Sequence, residues 1–295
     1  MATKIAAKPK GLSLHIGLNS VDPAGYGGWS GPLVACEFDA IDMEKIAAAR
    51  GFKTKVLLTK DGTAAAVTTF LKSAAKQLQK GDELLLTYSG HGGQVPDLNG
   101  DEKGAVNSDD RVDETWCLYD RQLVDDELYA LWGLFASGVR IFMLSDSCHS
   151  GTVAKATLAV LAGGPHIPIK NAAPINYSNF RVKAIPIENL GPAYKAQQKK
   201  YDKIQKTFAT TSKAKIGASV VLISGCMDNQ VSLDGAKNGL FTETLLKVYN
   251  GGTFTGTLRS FHQAILDQMP FTQSPNYFVT GSKNAKFESS APFAL

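Results

Sequence analysis

Two stretches decide how this chain folds: ELLLTYSGHGGQ, from Glu83 to Gln94, and VRIFMLSDSCHSG, from Val139 to Gly151. Each is an apolar run that gives way at once to small residues around one reactive side chain. A run this apolar, bounded by glycine, reads as a strand covered on both faces, and such strands belong to buried, largely parallel sheets. Working outward, Leu12 to Leu18, Phe52 to Leu58, Ser219 to Ser224 and Asn276 to Val279 read the same way. Between them, Val34 to Arg50, Thr63 to Gln79, Asp125 to Phe135, Phe241 to Tyr249 and Leu258 to Met269 carry helical spacing. The first stops at Gly51, the second opens on a threonine cap, and the third has acids in its first turn, where the helix dipole favours them. Alternating strands and helices specify an α/β, doubly wound, mostly parallel sheet of about six strands flanked by helices.

The 295 residues suit two domains or one large α/β unit, and 44% hydrophobic with 20% charged residues excludes a disordered or collagen-like chain. No run approaches the roughly 18 apolar residues of a membrane span, and Met1 to Gly11 lacks an apolar core for secretion, so the expected compartment is the cytoplasm. Cys36, Cys117, Cys148 and Cys226 lie far apart with no CxxC pair, which fits neither a disulfide framework nor a zinc site. The net charge of +4 is uneven: ten Lys and Arg against Glu188 and Asp202 give Lys170 to Lys215 a balance of +8, leaving −4 elsewhere. With no stacking aromatics interleaved, this pattern reads as a processing or docking feature rather than a nucleic-acid surface.

Two segments break the strand and helix rhythm: Gly90 to Thr115, acidic and rich in Gly and Asn, and Gly151 to Lys215, rich in Lys, Ala and Pro. Both leave apolar strands at the carboxyl edge of the sheet, where open α/β folds place their sites, and both read as long loops. That edge also receives Cys148 and His91. A thiol attacks only as thiolate and needs an imidazole as base, and adjacent parallel strands bring the two together without sequence proximity. Cys148 with His91 is the natural dyad. His149 is a competitor, but neighbours on extended backbone point to opposite sides. His15, His166 and His262 are assigned structural or solvent roles.

YSGHGGQ at Tyr88 to Gln94 and DSCHSG at Asp146 to Gly151 resemble the two signatures of caspase-like cysteine peptidases, specifically metacaspases and their bacterial relatives, the orthocaspases. The resemblance continues in GPLVACEFDA at Gly31 to Ala40 and SGCMDNQ at Ser224 to Gln230, and covers about Leu12 to Gly281. The animal caspase pentapeptide is absent, DSCHS standing in its place. The resemblance implies a terminal arm over 1–10, one peptidase domain over 11–281 and a tail over 282–295. Within the domain, 11–165 is large-subunit-like, 166–216 a basic linker and 217–281 small-subunit-like. It implies that His91 is general base and acid, that Cys148 forms the acyl-enzyme, and that the N–H groups of Gly92 and Cys148 hold the oxyanion. It places Asp39, Ser89 and Asp146 in the pocket for the residue before the cut, where carboxylates match a guanidinium or ammonium.

The implied partners are protein or peptide substrates cleaved after Arg or Lys, with no nucleic acid, no membrane and a monomeric enzyme. No cofactor is required. A Ca²⁺ site is implied at Asp113, Asp125 and Asp126, where oxygen ligands gather, but its fourth acid is replaced by Lys155. An EF-hand is excluded by the spacing of Asp97 to Glu114. The basic linker, full of Lys and Arg, is a candidate for self-cleavage, or else a solvated insertion. Two other readings stay open: a caspase-fold scaffold or calcium-responsive module without useful turnover, and a clan relative with a different pocket.

Overall fold

The structure is a computed structural model, described for residues 8–98, 112–148, 180–208, 216–227 and 230–295. His149, Lys155, His166, the greater part of the acidic loop and both ends of the basic segment lie outside the described residues.

A six-stranded sheet runs in the order β2-β1-β3-β7-β9-β11. Its members are β1 (Gly11–Gly17), β2 (Lys53–Leu58), β3 (Glu83–Ser89), β7 (Arg140–Asp146), β9 (Ser219–Ser224) and β11 (Asn276–Gly281). All pairs are parallel except β9 with β11, which bear the expected doubly wound, caspase-like topology out. Every residue of β3 is buried because the two faces feed two cores. Leu84 and Leu86 point to a cluster with Leu14, Ile141 and Trp132, under α2 (Ala64–Gln77) and α3 (Asp125–Trp132). Leu85 points to a second cluster with Met43, Phe142, Ile223, Phe241 and Phe261. That side is covered by α1 (Cys36–Ala49), α6 (Leu240–Tyr249) and α7 (Leu258–Leu266). Each large apolar side chain so enclosed contributes roughly 1.5–3 kcal/mol, which explains why the strands are apolar on both faces.

The segment after Gly281 is more than a tail. It forms α8 (Ala285–Glu288) and buries Phe287 and Phe293, the latter 5.5 Å between ring centroids from Phe142. The acidic loop is also shorter than expected, because β4 (Gly92–Pro96) and β5 (Val112–Cys117) pair antiparallel and continue to β6 (Gln122–Val124).

The reading of Gly151 to Lys215 as one structureless loop needs correction. Within it lie β8 (Arg181–Val182), which pairs with β10 (Leu233–Asp234), then α4 (Ile187–Ala196) and α5 (Gln198–Phe208). Its lysines mask a sparse buried stripe: Ala193, Tyr201 and Gln205 are fully buried while Lys195, Lys199, Lys200, Lys203 and Lys206 stay in water. The Tyr201 hydroxyl accepts the N–H of Gln122 at 3.0 Å, tying the segment to β6.

Candidate active site

The parallel register sets Tyr88 beside Ser145 and Ser89 beside Asp146, so β3 and β7 end level. The chain then delivers His91 and Cys148 two residues beyond those ends, as the motifs lead one to expect. Cys148 is fully buried. The turn that carries it is held by Ser145 and Ser147, whose hydroxyls lie 2.9 Å apart, with the Trp116 indole N–H donating to Ser145 at 3.0 Å. All four cysteines are free and buried. Cys226 sits beside Cys148, and its thiol is pushed above the ordinary range by hydrogen bonding with Cys148 and by burial.

The His91 ring is fixed from one side. Its Nε2 lies 3.0 Å from the carbonyl oxygen of Gly31, and its ring centroid is 4.7 Å from that of Trp29, the two planes tilted by 60°. Gly31 is irreplaceable there: it sits at φ +51, and a Cβ would come within 2.9 Å of Nε2. A carbonyl only accepts, so Nε2 carries the hydrogen and the lone pair of neutral His91 belongs to Nδ1. Nδ1 is buried and makes no hydrogen bond among the described residues. Burial pushes the ring's pKa down to about 4, despite the Gly31 carbonyl, which keeps the imidazole neutral and able to accept a proton.

Asp39, from α1, and Asp146, the last residue of β7, converge on one buried point with Ser89. Ser89 donates to Asp39 at 2.7 Å, as do the side chain of Asn238 and the backbone N–H of Gly239, each at 3.0 Å. Asp146 accepts from the hydroxyls of Ser232 and Thr242, the latter at 2.8 Å. Gly239 and Thr242 belong to the N-terminal turn of α6, whose dipole and open N–H groups favour anions. Burial raises Asp39 to about 6, opposed by the nearest cation.

That cation is Lys183, from the basic segment. Fully buried, it places Nζ 3.1 Å from Asp39, 3.0 Å from Asp146 and 2.9 Å from the Ser89 hydroxyl. Burial alone would lower its pKa, but Asp146 and the neighbouring anionic groups outweigh it and raise the value well above normal. Its main chain is equally engaged. The Lys183 carbonyl oxygen accepts the N–H of Gly92 at 2.9 Å and of Cys148 at 3.2 Å, the two donors expected to form the oxyanion hole. Before it, Lys183 N–H donates to Ser232 at 2.9 Å and Val182 pairs with Leu233; after it, Ile185 N–H donates to Gly92 at 2.9 Å. A peptide thus crosses the site extended, pairing with β10 on one side and with Gly92 on the other.

Sequence reasoning missed Ser232, Thr242, Asn238 and Gly239, which lie far from the motifs. Gly239 has the clearest reason for its identity: a Cβ would fall 2.3 Å from both Lys183 Nζ and Asp146 Oδ2. His15, between the hydroxyls of Thr87 and Ser13 at 2.9 Å each, is structural, and the His262 Nε2–H donates to the Pro275 carbonyl at 2.9 Å. Of the acids named for Ca²⁺, Asp113 and Asp126 are buried and Asp125 accepts the N–H of Asp126 at 2.9 Å; among the described residues no group of three or more His, Cys, Asp or Glu is arranged to hold a metal ion. Among the same residues no helix is long and apolar enough to cross a membrane.

A six-stranded α/β sheet with a thiol and an imidazole at neighbouring strand ends defines a scaffold of the caspase class. The model of the caspase domain matches residues 11–287, and the chain belongs to that peptidase family. Metacaspase-1 of Mycosarcoma maydis is 30% identical over 257 residues, covering 79% of this chain and 60% of that protein. Metacaspase-1 of Saccharomyces cerevisiae is 33% identical over 175 residues, 56% of this chain and 40% of the other. The chain therefore spans about half the length of these curated relatives. A crystal structure of a protein from Geobacter sulfurreducens matches with a TM-score of 0.82 at 48% identity, covering 97% of this chain and 99% of that one. Caspase-1 from Spodoptera frugiperda, at 10% identity and a TM-score of 0.50 over 93% of this chain and 87% of its own, shares the fold.

Proposed function

We propose that this chain is a cysteine endopeptidase that cuts after Lys or Arg through Cys148 and His91, and that its first substrate is its own bond between Lys183 and Ala184. The observation that carries the reading is the double engagement of Lys183: its ammonium on two carboxylates and its carbonyl on two backbone donors. The chemistry follows from these positions. His91 Nδ1 takes the proton of the Cys148 thiol, and the thiolate attacks the Lys183 carbonyl carbon. The oxygen gains its negative charge where Gly92 and Cys148 already donate, so no rearrangement accompanies charge development. His91 then returns the proton to the departing nitrogen of Ala184, and water attacks the thioester with His91 again as base.

The experiment is mass spectrometry of the incubated wild type beside Cys148→Ala, Lys183→Arg and Lys183→Ala. Wild type and Lys183→Arg give a fragment beginning at Ala184, and Cys148→Ala and Lys183→Ala do not. A wild-type chain that stays intact and hydrolyses no Lys or Arg peptide makes this a caspase-fold scaffold; an intact chain with full activity, or cuts at other bonds of 170–215 alone, removes the assignment to Lys183.

A further inference from the structure

The residues that follow Lys183 are as firmly seated as Lys183 itself. Ile185 is fully buried in an apolar cluster with Val21, Tyr26 and Cys117, and Trp29 packs against that cluster. None of these four is part of the proposed chemistry, though Trp29 also touches the His91 ring. Tyr26 is held in place by its hydroxyl, which donates to the Leu118 carbonyl at 2.6 Å. Gly93 forms the floor: a Cβ there would lie 2.8 Å from Ile185 Cδ1, so the double glycine after His91 leaves room for a side chain as well as for an oxyanion donor. Backbone pairing between Gly92 and Ala184 sets the register, directing the second residue after the cut into the cluster. The outer side is closed by Ala193 and Leu190 of α4, whose Tyr194 ring stacks at 6.0 Å on Tyr201 of α5, the residue that is tied to β6.

We propose that this cluster is a substrate subsite on the leaving-group side of the cut, an apolar socket that selects an aliphatic residue two positions after the cleaved Lys or Arg. It rests on the peptidase reading above and extends it to a second specificity determinant: the favoured substrate is a Lys or Arg, a small residue, then Ile, Val or Leu. Enclosing or omitting an aliphatic group in a preformed apolar site changes kcat/KM by about 10–100-fold.

Two series test it. In the full chain, Ile185→Val and Ile185→Leu cut at the 183–184 bond near the wild-type rate, whereas Ile185→Gly and Ile185→Asp slow about tenfold or more; melting curves report whether each variant folds. In the second series, incubated wild-type protein is given peptides identical except for Ile, Val, Gly or Asp two positions after the cleaved Lys, alongside a peptidyl-Lys coumarin amide that has no residues there. Ile and Val peptides are hydrolysed at least about tenfold faster than Gly and Asp peptides, and Val21→Phe, which fills the socket, erases that ratio while the coumarin amide is still cleaved. Failure to cleave the coumarin amide strikes at the peptidase reading. Cleavage of the coumarin amide combined with indifference to, or refusal of, every residue at that position overturns the subsite, as does a loss confined to the Ile185 series, which would make the cluster a docking place for the segment only.

Discussion

Replacing Asp146 by Asn leaves the shape of the pocket and removes half its charge. In the occupied pocket Asp146 and Asp39 lie 3.0 and 3.1 Å from the same ammonium, and Asp146 also accepts from Ser232 at Oδ1 and from Thr242 at Oδ2, so asparagine keeps one of these acceptors and turns the other into a donor that the Ser232 hydroxyl can meet by rotating. At an effective dielectric of about 20, each charge pair at this separation amounts to roughly 5 kcal/mol, and breaking a buried pair on one side typically costs about 3–5 kcal/mol. Asp146→Asn should therefore lower kcat/KM for Lys and Arg peptides by about 10²–10⁴-fold, with little change for a peptide bearing Met at the cleaved position. Asp39→Asn behaves differently with pH. Burial raises Asp39 to about 6 even with the Lys183 ammonium beside it, which lowers it, so once that cation leaves, the wild-type pocket lacks part of this charge at pH 6 and below and gains it as pH rises above 6. Preference for Lys over Met should grow with pH from 5 upward in wild type, rise at lower pH in Asp146→Asn because the neighbouring carboxylate no longer helps raise Asp39, and stay flat in Asp39→Asn. The assay is kcat/KM for paired Lys and Met peptides across that range. Unchanged Lys and Arg preference in both variants, or efficient cleavage after Asp, would refute the pocket.

Cys148→Ala and His91→Ala should each abolish peptidase turnover without lowering the melting temperature appreciably, and the double variant should be no worse than either, since the two act as a unit; measurable turnover by Cys148→Ala ends the proposal. Gly239→Ala drives a methyl into the space of the Lys183 ammonium, so it should cost at least about tenfold in kcat/KM for Lys peptides and slow self-cleavage, checked by the same assays. Since the acids proposed for Ca²⁺ do not cluster among the described residues and Lys155 stands at the fourth position, activity should survive chelator with at most a modest loss. Strict dependence at micromolar Ca²⁺ would show that other oxygens complete a site.

The sheet was readable because ELLLTYS and RIFMLSD are short apolar runs bounded by glycine and serine, too short for a buried helix and apolar on both faces as a doubly covered strand is. Cys148 and His91 were readable for a related reason: glycine and serine at a strand end leave one reactive group in an otherwise inert run. The pocket was half legible. Asp39 and Asp146 lie in the motifs, but Ser232, Thr242 and Gly239 are ordinary polar and small residues until tertiary folding gathers them around a carboxylate. Ten cations over Lys170 to Lys215 hid the few residues that fasten the segment, Tyr201 and Gln205 one helical turn apart and Ala193 before them. Nothing local separates Lys183 from nine other Lys and Arg there, since its special position is created by the strand pairing of Arg181 and Val182 with β10.

A cut after Lys183 would fall between β7 and β9, which are neighbours in the central sheet. The piece ending at Lys183 would keep β2, β1, β3 and β7; the piece beginning at Ala184 would keep β9 and β11 at the sheet's edge. In the folded state little changes, because the strands stay hydrogen-bonded and share one core. Unfolding is another matter: two chains separate where one did before, so refolding becomes a second-order reaction and the melting temperature of the cut protein rises with its concentration, while that of the uncut chain does not.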